Sequence, residues 1–301
     1  MKLRPYQQDA YDRTLAAFVD HDTVLSVMAT GLGKTVYFAH VAKHLMQQGR
    51  VMVVAHREEL ITQAQSKLQA VTSILADIEM ASSYASRGYF KSEIVISSVQ
   101  TQNAGDDDDR RMTDFDPMEF SLLIIDEAHH ATADTYRRMI DYYQQNPRLK
   151  VLGVTATPDR ADKEALGKVF QKSAYEYGIL DGINDGWLVP INQRAVYVKG
   201  LDLSGIKTTA GDLNGRELNE VLEFEENLHG IAWPTLELTG DRKTLIFTAS
   251  VAQAERLAEI LNRHKQGSAK FVCGSTPKET RRRMLKDYAG RKFQYLVNVG
   301  V

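Results

Sequence analysis

Thr23-Val24-Leu25-Ser26-Val27-Met28-Ala29-Thr30-Gly31-Leu32-Gly33-Lys34-Thr35 joins a β-rich run to the start of a helical pattern through a glycine-bearing turn. Gly31 and Gly33 let backbone N–H groups close around an anion, where a Cβ would obstruct them. Lys34 adds a point charge at the same place, and Thr35 offers a hydroxyl to Mg²⁺. A helix beginning here also turns its positive end toward phosphate. Thr30, Gly31, Leu32, Gly33, Lys34 and Thr35 therefore read as a cradle for a nucleoside triphosphate. The strict pattern G-x-x-x-x-G-K-[ST] would put a glycine at Met28, so the loop alone is an incomplete signal.

Outward from this loop, short apolar runs alternate with helical patterns. Val51-Met52-Val53-Val54-Ala55, Ile94-Val95-Ile96-Ser97-Ser98-Val99, Leu122-Leu123-Ile124-Ile125 and Val151-Leu152-Gly153-Val154 are the next four strand candidates. Leu60, Ala64, Leu68 and Val71 mark one face of a helix after the first of them. Near-continuous Val/Ile/Leu runs suit parallel strands covered on both faces, which predicts an open α/β sheet. Ligands of such sheets sit outside the carboxyl ends of the strands. The phosphate loop, Asp126 and Thr155 all follow apolar runs directly, so they are expected to converge at that edge.

From 196 to 240 the pattern loosens around Gly200, Gly205, Gly211 and Gly215, and reads as a connector with one helix near Glu217 to Phe224. A second α/β pattern then runs from 241 to 301. Its strands are Thr244-Leu245-Ile246-Phe247-Thr248, Phe271-Val272-Cys273 and the run from Phe293 to Val299, with helices between them. This second pattern is short for a domain and ends beside a strand, so the sequence is expected to be part of a longer protein. Gly105-Asp106-Asp107-Asp108-Asp109-Arg110-Arg111 is read as a solvated loop and not as a metal site. Arg281, Arg282 and Arg283 are read as a solvated helix face.

Composition narrows the class. The 301 residues are 43% hydrophobic and 25% charged, ordinary for a globular protein, and the formal net charge of −2 means that nucleic acid would be held by local patches. A lone cysteine, Cys273, excludes an internal disulfide framework and a multi-cysteine zinc site. No apolar run approaches the ~18 residues of a membrane span, and the opening Met1-Lys2-Leu3-Arg4-Pro5 is not a signal peptide, which makes the cytoplasm the expected compartment.

Two further motifs carry chemistry. In Ile124-Ile125-Asp126-Glu127-Ala128-His129-His130 a buried strand ends in adjacent carboxylates. Asp126 can hold Mg²⁺ and Glu127 can orient and deprotonate a water. The alternative, acids at a helix N-terminus, is common, but the upstream phosphate loop favours chemistry. In Val154-Thr155-Ala156-Thr157-Pro158-Asp159-Arg160 small hydroxyl residues follow a strand, where they can bond both a carboxylate and a neighbouring loop.

Taken together these motifs resemble a superfamily 2 helicase of the DEAH type, in the group that includes restriction-enzyme motor subunits and RadD-like repair helicases. In that group Ala-Thr before the glycine is usual in motif I, which accounts for Met28. Motif II is similar to Asp126-Glu127-Ala128-His129 and motif III to Thr155-Ala156-Thr157. Leu3-Arg4-Pro5-Tyr6-Gln7 resembles the adenine-reading segment. Ala55-His56-Arg57-Glu58-Glu59-Leu60 and Ser98-Val99-Gln100-Thr101 resemble motifs Ia and Ib, and Leu245-Ile246-Phe247-Thr248-Ala249-Ser250 resembles motif IV.

The resemblance implies a RecA-like P-loop domain with a parallel sheet over 1–195, a connector over 196–240, and an incomplete second RecA-like domain over 241–301. It implies ATP and Mg²⁺ as cofactors, with Arg4 and Gln7 at the adenine end and Thr35 and Asp126 at the metal. Lys34, Asp126, Glu127 and His129 would be catalytic, and Thr155 and Thr157 would couple ATP state to motion. Arg57, Ser98, Gln100 and Thr101 would touch a nucleic-acid backbone, DNA more than RNA, although plain loop polarity also explains the last group. The implied activity is ATP-driven movement on a strand. Leu296-Val297-Asn298-Val299-Gly300-Val301 resembles the strand entering motif V, and motif VI with its arginine is not in the sequence, so weak turnover is expected of this chain. The rival readings are a nucleotide- and nucleic-acid-binding module without helicase activity, an RNA helicase, and a different P-loop ATPase.

Overall fold

A computed structural model describes all residues of the chain except 56–57, 107–108, 157–163, 210–211 and 300–301, together with the side chains of 58–60, 63, 209 and 212. The chain divides into two compact units, Met1–Ile191 and Asn192–Val301.

The first unit is built on a seven-stranded parallel sheet. Its strands are β1 (Thr23–Met28), β2 (Arg50–Ala55), β3 (Asp77–Glu79), β4 (Ile94–Ser98), β5 (Phe120–Asp126), β6 (Lys150–Thr155) and β7 (Lys172–Tyr177), in the order β3-β4-β2-β5-β6-β1-β7. The near-continuous apolar runs are explained by burial on both faces. On one face Val24, Met28, Val51, Val53, Ile94, Ile96, Leu122, Ile124, Leu152 and Val154 pack with buried residues of three helices, α1 (Pro5–Asp20), α2 (Lys34–Leu45) and α3 (Glu58–Thr72). On the other face the alternate residues Leu25, Val27, Met52, Val54, Val95, Leu123, Ile125 and Val151 pack against Tyr136, Met139, Ile140 and Tyr143. Those four lie on the helix Asp134–Tyr143. The side-chain period of two thus splits each strand between two cores.

The edge strands escape the sequence pattern. β3 has three residues, and β7 buries Tyr175 and Tyr177 while Lys172, Ser173 and Glu176 stay exposed. β3 is fixed by a buried charge. Glu79 is fully buried, ion-paired with Arg111 and with Arg87 at 3.3 Å, and its other acceptor capacity takes the Ala85 N–H at 2.7 Å.

The second unit holds a three-stranded parallel sheet, with Tyr295–Asn298 between Thr244–Phe247 and Ala269–Val272. Leu228 and Ala232 join Leu257, Ile260, Leu261 and Val297 in its core. Two helices, Gly215–Leu222 and Glu225–Thr239, stand where one connector helix was expected, and the longer belongs to this core. Pro234 inside that helix is what disguised its length in the sequence. Arg281 is also not simply solvated: its Nη2 donates to the carbonyls of Cys273 and Gly274 at 3.1 and 3.3 Å. Among the described residues no helix is long and apolar enough to cross a membrane.

Glu79→Ala removes the buried carboxylate that Arg111 and Arg87 share, leaving Arg87 paired with Asp114 at 2.9 Å and Arg111 bonded to the Ala81 and Ser83 carbonyls. Removing one partner of a buried pair costs about 3 kcal/mol or more, so the urea midpoint of the variant is expected to fall well below that of the wild type.

Candidate functional site

β6 lies between β1 and β5, with Val27 opposite Thr155 and Val154 opposite Asp126. Neighbouring strands sit about 4.8 Å apart. The three chain segments that follow β5, β6 and β1 therefore start side by side at one carboxyl edge, as expected from the sequence.

After β1 the chain turns through Ala29, whose N–H donates to the Tyr177 carbonyl at 3.0 Å, and through Leu32, whose N–H donates to the Ala29 carbonyl at 3.3 Å. Gly31 and Gly33 hold φ of +87° and +76°. Gly33 is the N-cap of α2, so Lys34 and Thr35 open the helix. Their N–H groups belong to the first turn, which has no intrahelical acceptors for them. The result is a left-handed glycine turn feeding a helix N-terminus, an arrangement suited to phosphate oxygens.

Gln7 clamps this turn from α1. Its Nε2 donates to the carbonyls of Leu32 and Gly33 at 2.9 and 3.3 Å, and its Oε1 accepts from the Arg4 N–H at 2.9 Å. A Cβ on Gly33 would meet Gln7 Nε2 at 2.7 Å and displace that amide, while the φ of +76° is what favours glycine here. The Tyr6 hydroxyl donates to the same Leu32 carbonyl at 2.8 Å. Its ring stacks on Tyr177 with centroids 4.8 Å apart and meets Trp187 at 5.4 Å. The Arg4 guanidinium lies over Trp187 at 5.0 Å and donates to the Tyr6 hydroxyl at 3.2 Å. Arg4 and Gln7, expected at the adenine end, thus stand in an aromatic corner with Tyr6, Tyr177 and Trp187. The two partners from beyond residue 170 carried no sequence signal, because only folding brings β7 beside β1.

Beneath the turn, the Tyr37 hydroxyl bonds with Thr14 at 2.6 Å and with Ser26 at 2.7 Å. All three are buried, and this network ties α1, β1 and α2 together. Burial pushes the Tyr37 hydroxyl up to about 12, so it stays protonated.

At the end of β5, Asp126 is buried and Glu127 takes a left-handed φ of +53°, which aims its N–H at Asp126 Oδ1 at 3.0 Å. Burial first, and then the Glu127 charge, push the Asp126 carboxyl up to about 6; Lys34 and His129 act the other way. A cation supplied from outside would oppose both effects by stabilising the ionised carboxylate. His129 Nδ1 stands 3.1 Å from Thr155 Oγ1 and 3.5 Å from Glu127 Oε2, which joins the second motif to the third. Glu127 is about one-third exposed, so it can reach a water, whereas Thr155 is fully buried.

The segments expected to meet nucleic acid divide. Ser98 caps the short helix after β4: its Oγ accepts the Thr101 N–H at 3.1 Å and donates to Thr101 Oγ1 at 2.9 Å. Both are buried, whereas Gln100 is exposed. Arg57 and Thr157 lie outside the described residues, as do Asp107, Asp108 and the end of the chain at Gly300-Val301.

A match to the family described as type III restriction enzyme, res subunit, covers residues 1–160. The chain belongs to this family, within helicase superfamily 2. IRC3 of Saccharomyces cerevisiae, which carries the name of an ATP-dependent helicase, is 30% identical over 321 residues, covering 99% of this chain and 44% of the relative. A type I restriction enzyme EcoAI endonuclease subunit of Escherichia coli is 26% identical over 282 residues, covering 86% of this chain and 34% of its own. The chain thus spans less than half the length of these two relatives. Among solved structures, the Pyrococcus furiosus Hef helicase domain matches with a TM-score of 0.61 and 16% identity over 99% of this chain and 85% of that one. The ATP-dependent type ISP restriction-modification enzyme LlaBIII bound to DNA matches with a TM-score of 0.64 and 15% identity over 99% of this chain and 24% of that one. At such identities the likeness establishes the fold, which is RecA-like.

The raised Asp126 carboxyl sets a pH test. Its pKa of about 6 exceeds the ordinary 3.8, so ionised Asp126 destabilises the ligand-free fold. The penalty is full above pH 6, shrinks between 6 and 3.8, and is gone below 3.8. Asp126→Asn should therefore stabilise the ligand-free chain at pH 8 by about 1–3 kcal/mol, at 1.36 kcal/mol per unit. In paired urea melts the advantage over wild type should fade as pH drops toward 4.

Proposed function

We propose that this chain contains the ATP site of a nucleic-acid motor, a helicase or duplex translocase that couples ATP hydrolysis to movement along a strand. The observation that carries the reading is the arrangement at adjacent strand ends of a glycine turn opening a helix, a buried Asp126 beside Glu127, and Thr155 bonded to His129. The residues fit Mg²⁺-ATP chemically: Lys34 is a cation, Thr35 and Asp126 are oxygen donors, and the glycine turn leaves room for phosphate. Bound there, Mg²⁺ would neutralise phosphate charge as it develops.

In this reading the chain's own groups divide the work. Thr30, Gly31, Leu32 and Gly33 shape the cradle, and Lys34 neutralises the outer phosphates. Thr35 and Asp126 hold the metal. Glu127 orients a water and takes its proton. His129, held between Glu127 and Thr155, reports the state of the site to the third motif, where Thr155 and Thr157 pass it on. Arg4 and Gln7 serve the adenine end. Gln7 already spans from the cap of α1 to the phosphate turn, so occupation of one end is felt at the other.

Residues 1–195 are assigned to the ATP-binding domain, 196–240 to a connector whose last helix, Glu225–Thr239, packs into the core of the second unit, and 241–301 to part of a second RecA-like domain. DNA is preferred over RNA because the family and the EcoAI relative carry the names of restriction enzymes. Arg57 and the exposed Gln100 are the candidates for backbone contact, with Ser98 and Thr101 shaping the turn that presents Gln100.

Lys34→Ala is expected to weaken nucleotide binding by at least tenfold in fluorescence titration. Glu127→Gln is expected to keep that binding and to reduce hydrolysis by 100-fold or more in a protein extended to the length of its relatives, in keeping with ~10²–10⁴ for a general base. Duplex or single-stranded DNA should stimulate hydrolysis by the same protein more than RNA does. Stimulation by RNA alone would reverse the choice of substrate, and full turnover in Glu127→Gln would remove Glu127 from its role.

A further inference from the structure

β3 and β4 end side by side at the carboxyl edge, with Glu79 opposite Ser97 and the Ser97 hydroxyl donating to the Glu79 carbonyl at 2.8 Å. The chain leaves β3 through a tight reversal. Met80 and Ser83 exchange backbone hydrogen bonds there at 3.0 and 2.8 Å, and Ala81 takes a left-handed φ of +49°. The reversal delivers Tyr84, which is 66% exposed. The Arg111 guanidinium lies 3.9 Å from the centroid of its ring, and Arg111 is itself fixed by the buried Glu79 carboxylate and by the carbonyls of Ala81 and Ser83. Arg87, on the same carboxylate, approaches the ring at 5.9 Å. With one face held on a guanidinium, the remaining exposure leaves the opposite face to solvent. The Arg111 N–H donates to the Ala104 carbonyl at 2.8 Å, which ties this platform to the chain just past the short helix that carries Gln100. A ring held open in this way is a stacking surface, since every nucleobase has a π face. Both arginines are already paired with carboxylates, and Asp106 and Asp109 stand in the loop before Arg110, so a phosphate gains little here, whereas a neutral base does not depend on such charge.

We propose that Tyr84 is a stacking platform for one unpaired base of a single strand that crosses the carboxyl edge of the sheet beside Gln100. The substrate class is then a strand with its bases exposed, which deepens the motor reading above and rests on it. Stacking is tolerant of base identity, as movement along any sequence requires. The buried Glu79 gains a second role: by fixing Arg111 it fixes the ring in advance, and a preorganised surface loses less freedom on binding.

The test titrates the 301-residue chain, in low salt and without nucleotide, against short fluorescent strands of oligo(dT), oligo(U) and an abasic strand of equal length. Wild type is compared with Tyr84→Phe, Tyr84→Leu and Tyr84→Ala, and thermal melts are run in parallel. Tyr84→Leu keeps apolar cover over Arg111 without an aromatic face. Tyr84→Leu and Tyr84→Ala are expected to lose roughly tenfold in affinity for a base-bearing strand, with Tyr84→Phe within about twofold of wild type. All four proteins should bind the abasic strand alike, and Tyr84→Leu should melt with wild type. A loss on either oligo(dT) or oligo(U) supports the platform, and the strand bound more tightly identifies DNA or RNA as the source of the base. Equal affinity of wild type and Tyr84→Ala for both base-bearing strands overturns the proposal. A loss as large on the abasic strand overturns it too. So does a loss confined to Tyr84→Ala and accompanied by a lower melting temperature, which assigns Tyr84 to shielding the Glu79 pair. A wild type that binds none of the three strands refutes the nucleic-acid reading itself, and this inference with it.

Discussion

Insertion of β6 between β1 and β5 is the constraint on which the site depends. A parallel sheet sends every strand the same way, so the loops after these three strands emerge at one edge. The glycine turn and the Asp126-Glu127 pair are separated by about 90 residues in sequence, and Thr155 lies further on, yet backbone hydrogen bonds fix their spacing. Both faces of these strands are buried, which leaves little freedom for a register slip. A one-residue slip would send apolar side chains to the wrong core and Asp126 to the wrong level.

Within that frame the glycine turn is held from below and from the side. Tyr37, Thr14 and Ser26 bond to one another under it, and Gln7 and Tyr6 both donate to the Leu32 carbonyl. A left-handed turn is costly for most residues, and these bonds make it the favoured conformation here. The acidic side is different. Asp126 is buried with its carboxyl raised to about 6, and Glu127 sits in a left-handed conformation that a non-glycine residue rarely adopts. Strain and unmet charge thus gather on the motif that would meet the metal, as is common where a site is built to be completed by a ligand.

Legibility in the sequence followed burial. The strands at the centre, β1, β2, β4, β5 and β6, are continuous apolar runs because both faces are covered, and the pattern exposes them. β3 and β7 were not legible, because short edge strands bury only a few residues: Glu79 is a fully buried carboxylate in β3, and only two tyrosines of β7 are inside. The helix Glu225–Thr239 was hidden by Pro234 and by its place after a loose stretch. At the site, Gly31, Gly33, Lys34, Asp126 and Glu127 were legible because chemistry restricts the residue types. Tyr177 and Trp187 were not, since any aromatic residue could have come from any element.

The sequence alone determined the strand-turn-helix around Gly31 and Gly33, the acidic strand end and the α/β class, because each rests on residue type and local spacing. Only the tertiary structure decided that Ser98 and Thr101 are spent on each other as a helix cap, that Gln7 bonds to the glycine turn, and that His129 stands between Glu127 and Thr155. Hydrogen-bond partners are set by which surfaces packing brings together, and a sequence records the groups that can bond without recording which ones meet.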